Sequence, residues 1–108
     1  MDIQLKRGLL EACVLADLKN GDSYGYQLIK DIGVCVEISE STLYPILKRL
    51  EAGDLLTVYS VEHNGRLRKY YKITETGKQK LEAVKDEWKE VVAVYDFICK
   101  KKETRENE

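Results

Sequence analysis

The chain has 108 residues, of which 44% are apolar and 34% charged, with a formal net charge of −1. That length bounds it to one domain with a small core. It has no apolar run of the roughly eighteen residues a membrane span needs and no basic-apolar-small leader, so the expectation is a cytoplasmic protein. Cys13, Cys35 and Cys99 lack a C-x-x-C pair, which argues against a zinc site or disulfide framework; they read as small buried hydrophobes in a reducing compartment, with a redox-sensing Cys99 meeting its symmetry mate as the lesser alternative.

Leu5, Leu9, Leu10, Cys13, Val14 and Leu18 define the apolar face of a first helix, ended near Asn20-Gly21. Ser23 is placed to cap a second helix from Tyr24 to about Ile32, with Tyr24, Leu28, Ile29 and Ile32 turned inward. Gly25 either lets another element approach closely or is a weak spot in that helix. Gly33 to Ile38 reads as a turn, and its Val34-Cys35-Val36 run is apolar enough to add a short third strand to the hairpin further along the chain.

Ser39 is the expected N-cap of a third helix. Leu43, Ile46, Leu47 and Leu50 fall at i, i+3, i+4, i+7 and make one core-facing stripe. The opposite face carries Ser41, Thr42, Tyr44, Pro45, Lys48 and Arg49. Short hydroxyls near the start can approach base edges, and cations one turn later can reach phosphate. Pro45 removes a helical hydrogen bond and should bend or tighten the helix there, and Gly53 supplies the C-terminal cap. Alone, this is an ordinary amphipathic helix with a solvated outer face.

The adjoining hairpin changes the balance. Leu56 to His63 alternates and is rich in Val and Tyr, as a strand should be. Asn64-Gly65 supplies the positive φ angles of a two-residue turn. The return strand carries Arg66, Arg68, Lys69, Tyr70, Tyr71, Lys72 and Ile73, so residues 60–73 hold four cations against one acid, Glu62. Charged strands also blunt edge pairing, but both signs would then be expected. A one-signed hairpin beside an amphipathic helix fits phosphate contact better. Residues 39–73 carry six cations and four acids, and this is the only third of the chain with a positive balance. Tyr70 and Tyr71 alternate faces, so one packs inward and the other can touch phosphate.

Thr74 can cap a last helix running to about Lys101, on the order of 40 Å at ~1.5 Å per residue. Leu81, Val84, Trp88, Val91, Tyr95 and Ile98 form an a/d heptad seam, widened by Ala83, Val92 and Cys99. So long a seam implies a second copy of the chain, or a fold-back onto the first helix, or some of each. The charged tail from Lys100 to Glu108 is expected to fray. Trp88 lies mid-seam and has two readings: plain interface packing, or one of a pair of indoles stacking a flat aromatic ligand. Asp86, Glu87 and Glu90 would then favour a cationic ligand, or are simply solvated.

Three segments resemble the PadR family of bacterial transcriptional regulators. Ser41-Thr42-Leu43-Tyr44-Pro45-Ile46-Leu47-Lys48-Arg49-Leu50-Glu51 resembles its recognition helix. Arg68-Lys69-Tyr70-Tyr71-Lys72-Ile73-Thr74-Glu75-Thr76-Gly77 looks like its wing strand and next helix start, and Tyr24-Gly25-Tyr26-Gln27-Leu28-Ile29 is similar to its second helix. The segments lie in family order and span most of residues 5–80. One departure is the tight turn at Asn64-Gly65-Arg66-Leu67, where many members have Gly/Pro-rich wing tips. The resemblance implies a single C-terminal dimerisation helix. It also implies that Trp88 corresponds to interface tryptophans that hold planar drugs in multidrug-sensing members.

The expectation is a mainly α fold with a small β-hairpin wing, and no enzyme. Residues 1–74 form a winged helix-turn-helix DNA-binding domain, and residues 75–108 a dimerisation helix with a charged tail. Ser41, Thr42, Tyr44, Pro45, Lys48, Arg49, Arg66, Arg68, Lys69, Tyr70 and Lys72 meet promoter DNA. Two copies present two such surfaces to half-sites about 34–36 Å apart or a multiple of that. Lone His63 at the turn reads as a surface polar residue, and the chain lacks a nucleophile–base pair or phosphate-cradling loop. Two other classes stay open: a winged-helix docking module, and an aromatic-binding dimer indifferent to DNA.

Overall fold

The computed structural model describes the backbone of residues 1–106 and the side chains of residues 1–100. The elements are α1 (Ile3–Lys19), β1 (Ser23–Tyr24), α2 (Gly25–Ile32), α3 (Glu40–Ala52), β2 (Leu56–His63), β3 (Arg66–Ile73) and α4 (Glu75–Glu106). The strands form one antiparallel sheet in the order β1-β3-β2. Among the described residues, no helix is long and apolar enough to cross a membrane.

Leu10, Val14, Leu15 and Leu18 of α1 meet Leu28 and Ile32 of α2 and the full α3 stripe of Leu43, Ile46, Leu47 and Leu50. Leu56, Tyr71 and Ile73 close this core from the sheet, and Leu81 closes it from α4. Each fully buried leucine stabilises the fold by about 1.5–3 kcal/mol relative to exposure. Leu5, expected on the inner face of α1, is instead exposed.

The third strand is not Val34-Cys35-Val36. The amides of Cys35 and Val36 both bond the Ile32 carbonyl at 3.0 Å, so that segment closes the end of α2 as a turn. The strand is Ser23-Tyr24, paired Ser23↔Tyr71 and Tyr24↔Tyr70. Tyr24 is extended (φ −127°, ψ 167°) as it leads into α2, which lays it beside β3. Ser23 therefore does not cap α2, and its buried hydroxyl has no partner in the structure.

Ser39 stands at the N-cap of α3 but makes no capping bond. Its hydroxyl instead contacts the Ser41 and Thr42 hydroxyls at 3.0 and 3.3 Å. The helix runs unbroken through Pro45. At its end Gly53 is the C-cap with φ −87°, and the left-handed residue is Asp54 at φ 60°. Leu55 N–H to Leu50 O at 2.9 Å and Asp54 N–H to Glu51 O at 3.0 Å complete a Schellman motif around Asp54.

The β2–β3 turn has Asn64 at φ 53° and Gly65 at φ 80°, as a type I′ hairpin requires. Thr74 ties the hairpin to α4: its hydroxyl accepts from Gly77 N–H at 3.0 Å and donates to Asp54 O at 2.7 Å. A Cβ on Gly77 would collide with the Leu55 carbonyl, so only glycine lets α4 begin this close to the loop. The last helix extends to Glu106, past the expected end near Lys101. The tail expected to fray lies outside the described residues at 107–108 and, for side chains, from 101 onward.

Candidate nucleic-acid interface

Ser41, Thr42, Tyr44, Pro45, Lys48 and Arg49 are all exposed on α3, opposite its buried leucines. Pro45 lacks the amide hydrogen that would bond the Ser41 carbonyl. Arg49 is not a free cation: its Nε donates to Glu11 Oε2 of α1 at 3.0 Å. Lys48 has no ion pair among the described residues.

Tyr44 leans over the start of α2. A Cβ on Gly25 would stand 2.5 Å from its hydroxyl, so the close approach that glycine permits here is to the Tyr44 ring. Tyr44 also borders two clefts facing the sheet, one with Lys48, Val58 and Lys69, the other with Tyr26, Leu67 and Arg68.

The wing is two-sided. Side chains alternate along β3, and Val58↔Tyr71, Ser60↔Lys69 and Tyr59↔Tyr70 pair across the hairpin. Lys69 therefore shares the α3-facing side with buried Tyr71 and lines the Tyr44 cleft. Arg66, Arg68, Tyr70 and Lys72 share the other side. There Tyr24, Tyr70 and Tyr59 form a row across all three strands, with ring centroids 5.5 and 5.7 Å apart. The Arg68 guanidinium lies 4.0 Å over the Tyr24 ring. Tyr59 donates to Asp22 Oδ2 at 2.6 Å, and that bond, with a smaller contribution from burial, raises its hydroxyl pKa. Of the predicted wing contacts, Lys69 and Arg68 line clefts with Tyr44, whereas Arg66, Tyr70 and Lys72 alternate to the outer side. Counting charge along the strand missed this division.

Tyr26, not among the predicted contacts, is exposed beside Tyr44 with Lys30 5.9 Å over its ring. Its neighbours in the Tyr24-Gly25-Tyr26 segment were the available signal.

The α4 seam divides in two. Leu81 is 4% exposed in the chain's own core, and Val84 and Trp88 are half-buried against it. Trp88 lines a cleft of about 270 Å³ with Glu11, Leu15, Lys80 and Glu87. Lys19 reaches across to Glu82 at 3.4 Å, and hydrogen bonds from Lys85 and Lys19 hold the Glu82 carboxyl below its ordinary pKa. Beyond Trp88 the apolar residues are open: Val91 is 58%, Tyr95 63% and Ile98 66% exposed. Leu81, expected at a dimer seam, is taken up by intramolecular packing because α4 begins directly against the hairpin and α1.

Cys13, Cys35 and Cys99 are free thiols, though Cys35 and Cys99 are exposed rather than buried as expected. Burial, then the nearby Cys35, raises the Cys13 pKa. Among the described residues no group of three or more His, Cys, Asp or Glu could hold a metal ion.

The Transcriptional regulator PadR-like family matches residues 14–83. An uncharacterized protein of Lysinibacillus sphaericus is 34% identical over 97 residues, covering 85% of this chain and 89% of its own. Among solved structures, a Streptococcus mutans UA159 protein is 42% identical over 85% of this chain and 87% of that one, with a TM-score of 0.78. A PadR family transcriptional regulator from Eggerthella lenta DSM 2243 is 32% identical over 90% of this chain and 87% of that one, with a TM-score of 0.81. The match runs from the last turns of α1 through the first turns of α4 and takes in the helix and wing just described. This chain belongs to the PadR-like family of transcriptional regulators.

Proposed function

We propose that the chain is a homodimeric, sequence-specific DNA-binding repressor acting in the cytoplasm. One observation carries this reading. A helix with Ser41, Thr42, Tyr44, Pro45 and Lys48 on its open face stands beside a hairpin that turns Lys69 toward it. Ser41, Thr42 and Tyr44 approach base edges in the major groove, and Lys48 and Lys69 meet phosphate. Arg49 joins them with its remaining guanidinium donors, its Nε being held by Glu11. Arg66, Tyr70 and Lys72 meet a backbone only where DNA reaches the outer side of the wing, while Arg68, which lies over Tyr24, also borders the Tyr44 cleft.

The open stripe of Val91, Tyr95 and Ile98, extended by Val92 and Val94, is covered by the same helix of a second copy. Two recognition helices then address two half-sites. A planar aromatic effector at Trp88 would alter the angle between the copies, and so must bind the two angles with different affinity.

The test is enrichment of bound sequences from a randomised duplex pool, then fluorescence anisotropy on the winner and a scrambled duplex at two salt concentrations. The expected result is a preference for the enriched duplex and affinity that falls steeply with salt. No enrichment refutes sequence reading. Trp88 fluorescence quenching by planar aromatics, followed by DNA binding in their presence, tests the effector; quenching that leaves DNA affinity unchanged removes it.

A further inference from the structure

The helix α3 has two flanks. On one, Tyr44 and Lys48 share a cleft with Lys69 of the wing. On the other, Thr42, Pro45 and Arg49 share a cleft of about 510 Å³ with Ile3, Lys6 and Arg7 of α1. Ile3, Lys6, Arg7 and Leu10 are spaced i, i+3, i+4, i+7, so one face of α1 presents them together. Leu10 anchors that face in the core at 1% exposure, while Arg7 is exposed and Lys6 half-buried. Neither cation has an ion pair among the described residues. The acids nearest in sequence are engaged: Asp2 caps α1 through the Leu5 amide at 3.0 Å, and Glu11 accepts from Arg49.

A helix in the major groove has a sugar-phosphate strand on each side, across a width of about 12 Å. Lys69 attends to one strand. We propose that Lys6 and Arg7 attend to the other, making the first turns of α1 a second phosphate clamp. This rests on the DNA-binding reading above. Contacts of this kind fix the register of the helix and carry no sequence information themselves.

The test uses the full chain on the enriched duplex and on a mixed-sequence duplex of equal length. Lys6→Gln, Arg7→Gln and the double variant are compared with charge-conserving Lys6→Arg, all first matched to the parent by melting curve and sedimentation. Removing one cation from a phosphate lowers the slope of log affinity against log salt by about 0.9, hence by about 1.8 for a dimer with both copies bound. The expected reduction is the same on both duplexes, with the preference between them unchanged and Lys6→Arg keeping the parental slope. A parental slope in the double variant overturns the clamp and leaves DNA binding intact. A changed preference at constant slope also overturns it, in favour of base contact. A parent that binds neither duplex overturns both readings together.

Discussion

Gly25→Ala separates the fold from the reading surface. Gly25 opens α2, and a Cβ there would stand 2.5 Å from the Tyr44 hydroxyl and 3.1 Å from its Cζ. The hydroxyl has to retreat by about 0.9 Å to reach ordinary contact at 3.4 Å. The obstacle is the far end of a side chain that is 43% exposed, so the ring can swing aside. A swing of that size costs on the order of 0.5–1.5 kcal/mol. Alanine in place of helical glycine returns about 0.5–1 kcal/mol. The two offset, so the melting temperature moves by no more than about 5 °C. DNA affinity should fall, because Tyr44 is pushed off the proposed reading surface. One contact of about 1 kcal/mol per copy is about fivefold, and roughly thirtyfold when both copies of a dimer are bound. Thermal melts and anisotropy on the enriched duplex measure the two effects. In Tyr44→Phe the nearest atom becomes Cζ, so Gly25→Ala should weaken DNA binding less in that background. Equal weakening in both backgrounds would mean that Tyr44 does not transmit the effect. A destabilisation of several kcal/mol would mean that the ring cannot move.

The remaining predictions are briefer. Burial, a hydrogen bond with Asp31 and the Asp31 charge lift the Asp17 carboxyl from 3.8 to about 6, and its Oδ2 has no donor unless the pair shares a proton. An acid whose pKa is raised in the fold stabilises it below its unfolded pKa, and that contribution is lost as pH rises through about 6. Asp17→Asn should therefore raise the melting temperature at about pH 7.5 and converge with the parent near pH 4; a gap widening toward acid contradicts this. Ile98→Glu puts a charge on the open α4 stripe and should yield a monomer by sedimentation, with the melting of the winged domain little changed. Arg68→Gln should lower the salt slope of DNA binding less than Lys69→Gln does, because the Arg68 guanidinium is held 4.0 Å over the Tyr24 ring. Equal slopes would put both sides of the wing in contact with DNA.

Periodicity carries its information along a single element, and there it held for most positions, Leu5 of α1 being an exception. The α3 stripe, the Asn64-Gly65 turn, the Thr74 cap and the division of Tyr70 from Tyr71 all follow from spacing and turn chemistry. Features that depend on a neighbour were not legible. Val34-Cys35-Val36 is locally as strand-like as Ser23-Tyr24, but the Ile32 carbonyl engages its amides first. Arg49 looked free until Glu11 of α1 came within 3.0 Å. The α4 seam reads as one stripe, yet where its own domain stops covering it depends on where Thr74 and Gly77 start the helix. Lys6 and Arg7 gave no signal in their local sequence, since only the fold brings them beside α3.

One helix holds both halves of that seam. Leu81, Val84 and Trp88 fix its rotation on the domain, and Val91, Tyr95 and Ile98 present the open half further along the same rod. The bearing between the two halves is thus a matter of residue count. One residue inserted between Trp88 and Val91 would turn the open half by about 100° and advance it about 1.5 Å. A seven-residue insertion would nearly restore the bearing, carrying the open half about 10 Å outward. Geometry at the far end can therefore be retuned in discrete steps, by insertion and deletion alone, without touching a residue of α3 or the wing.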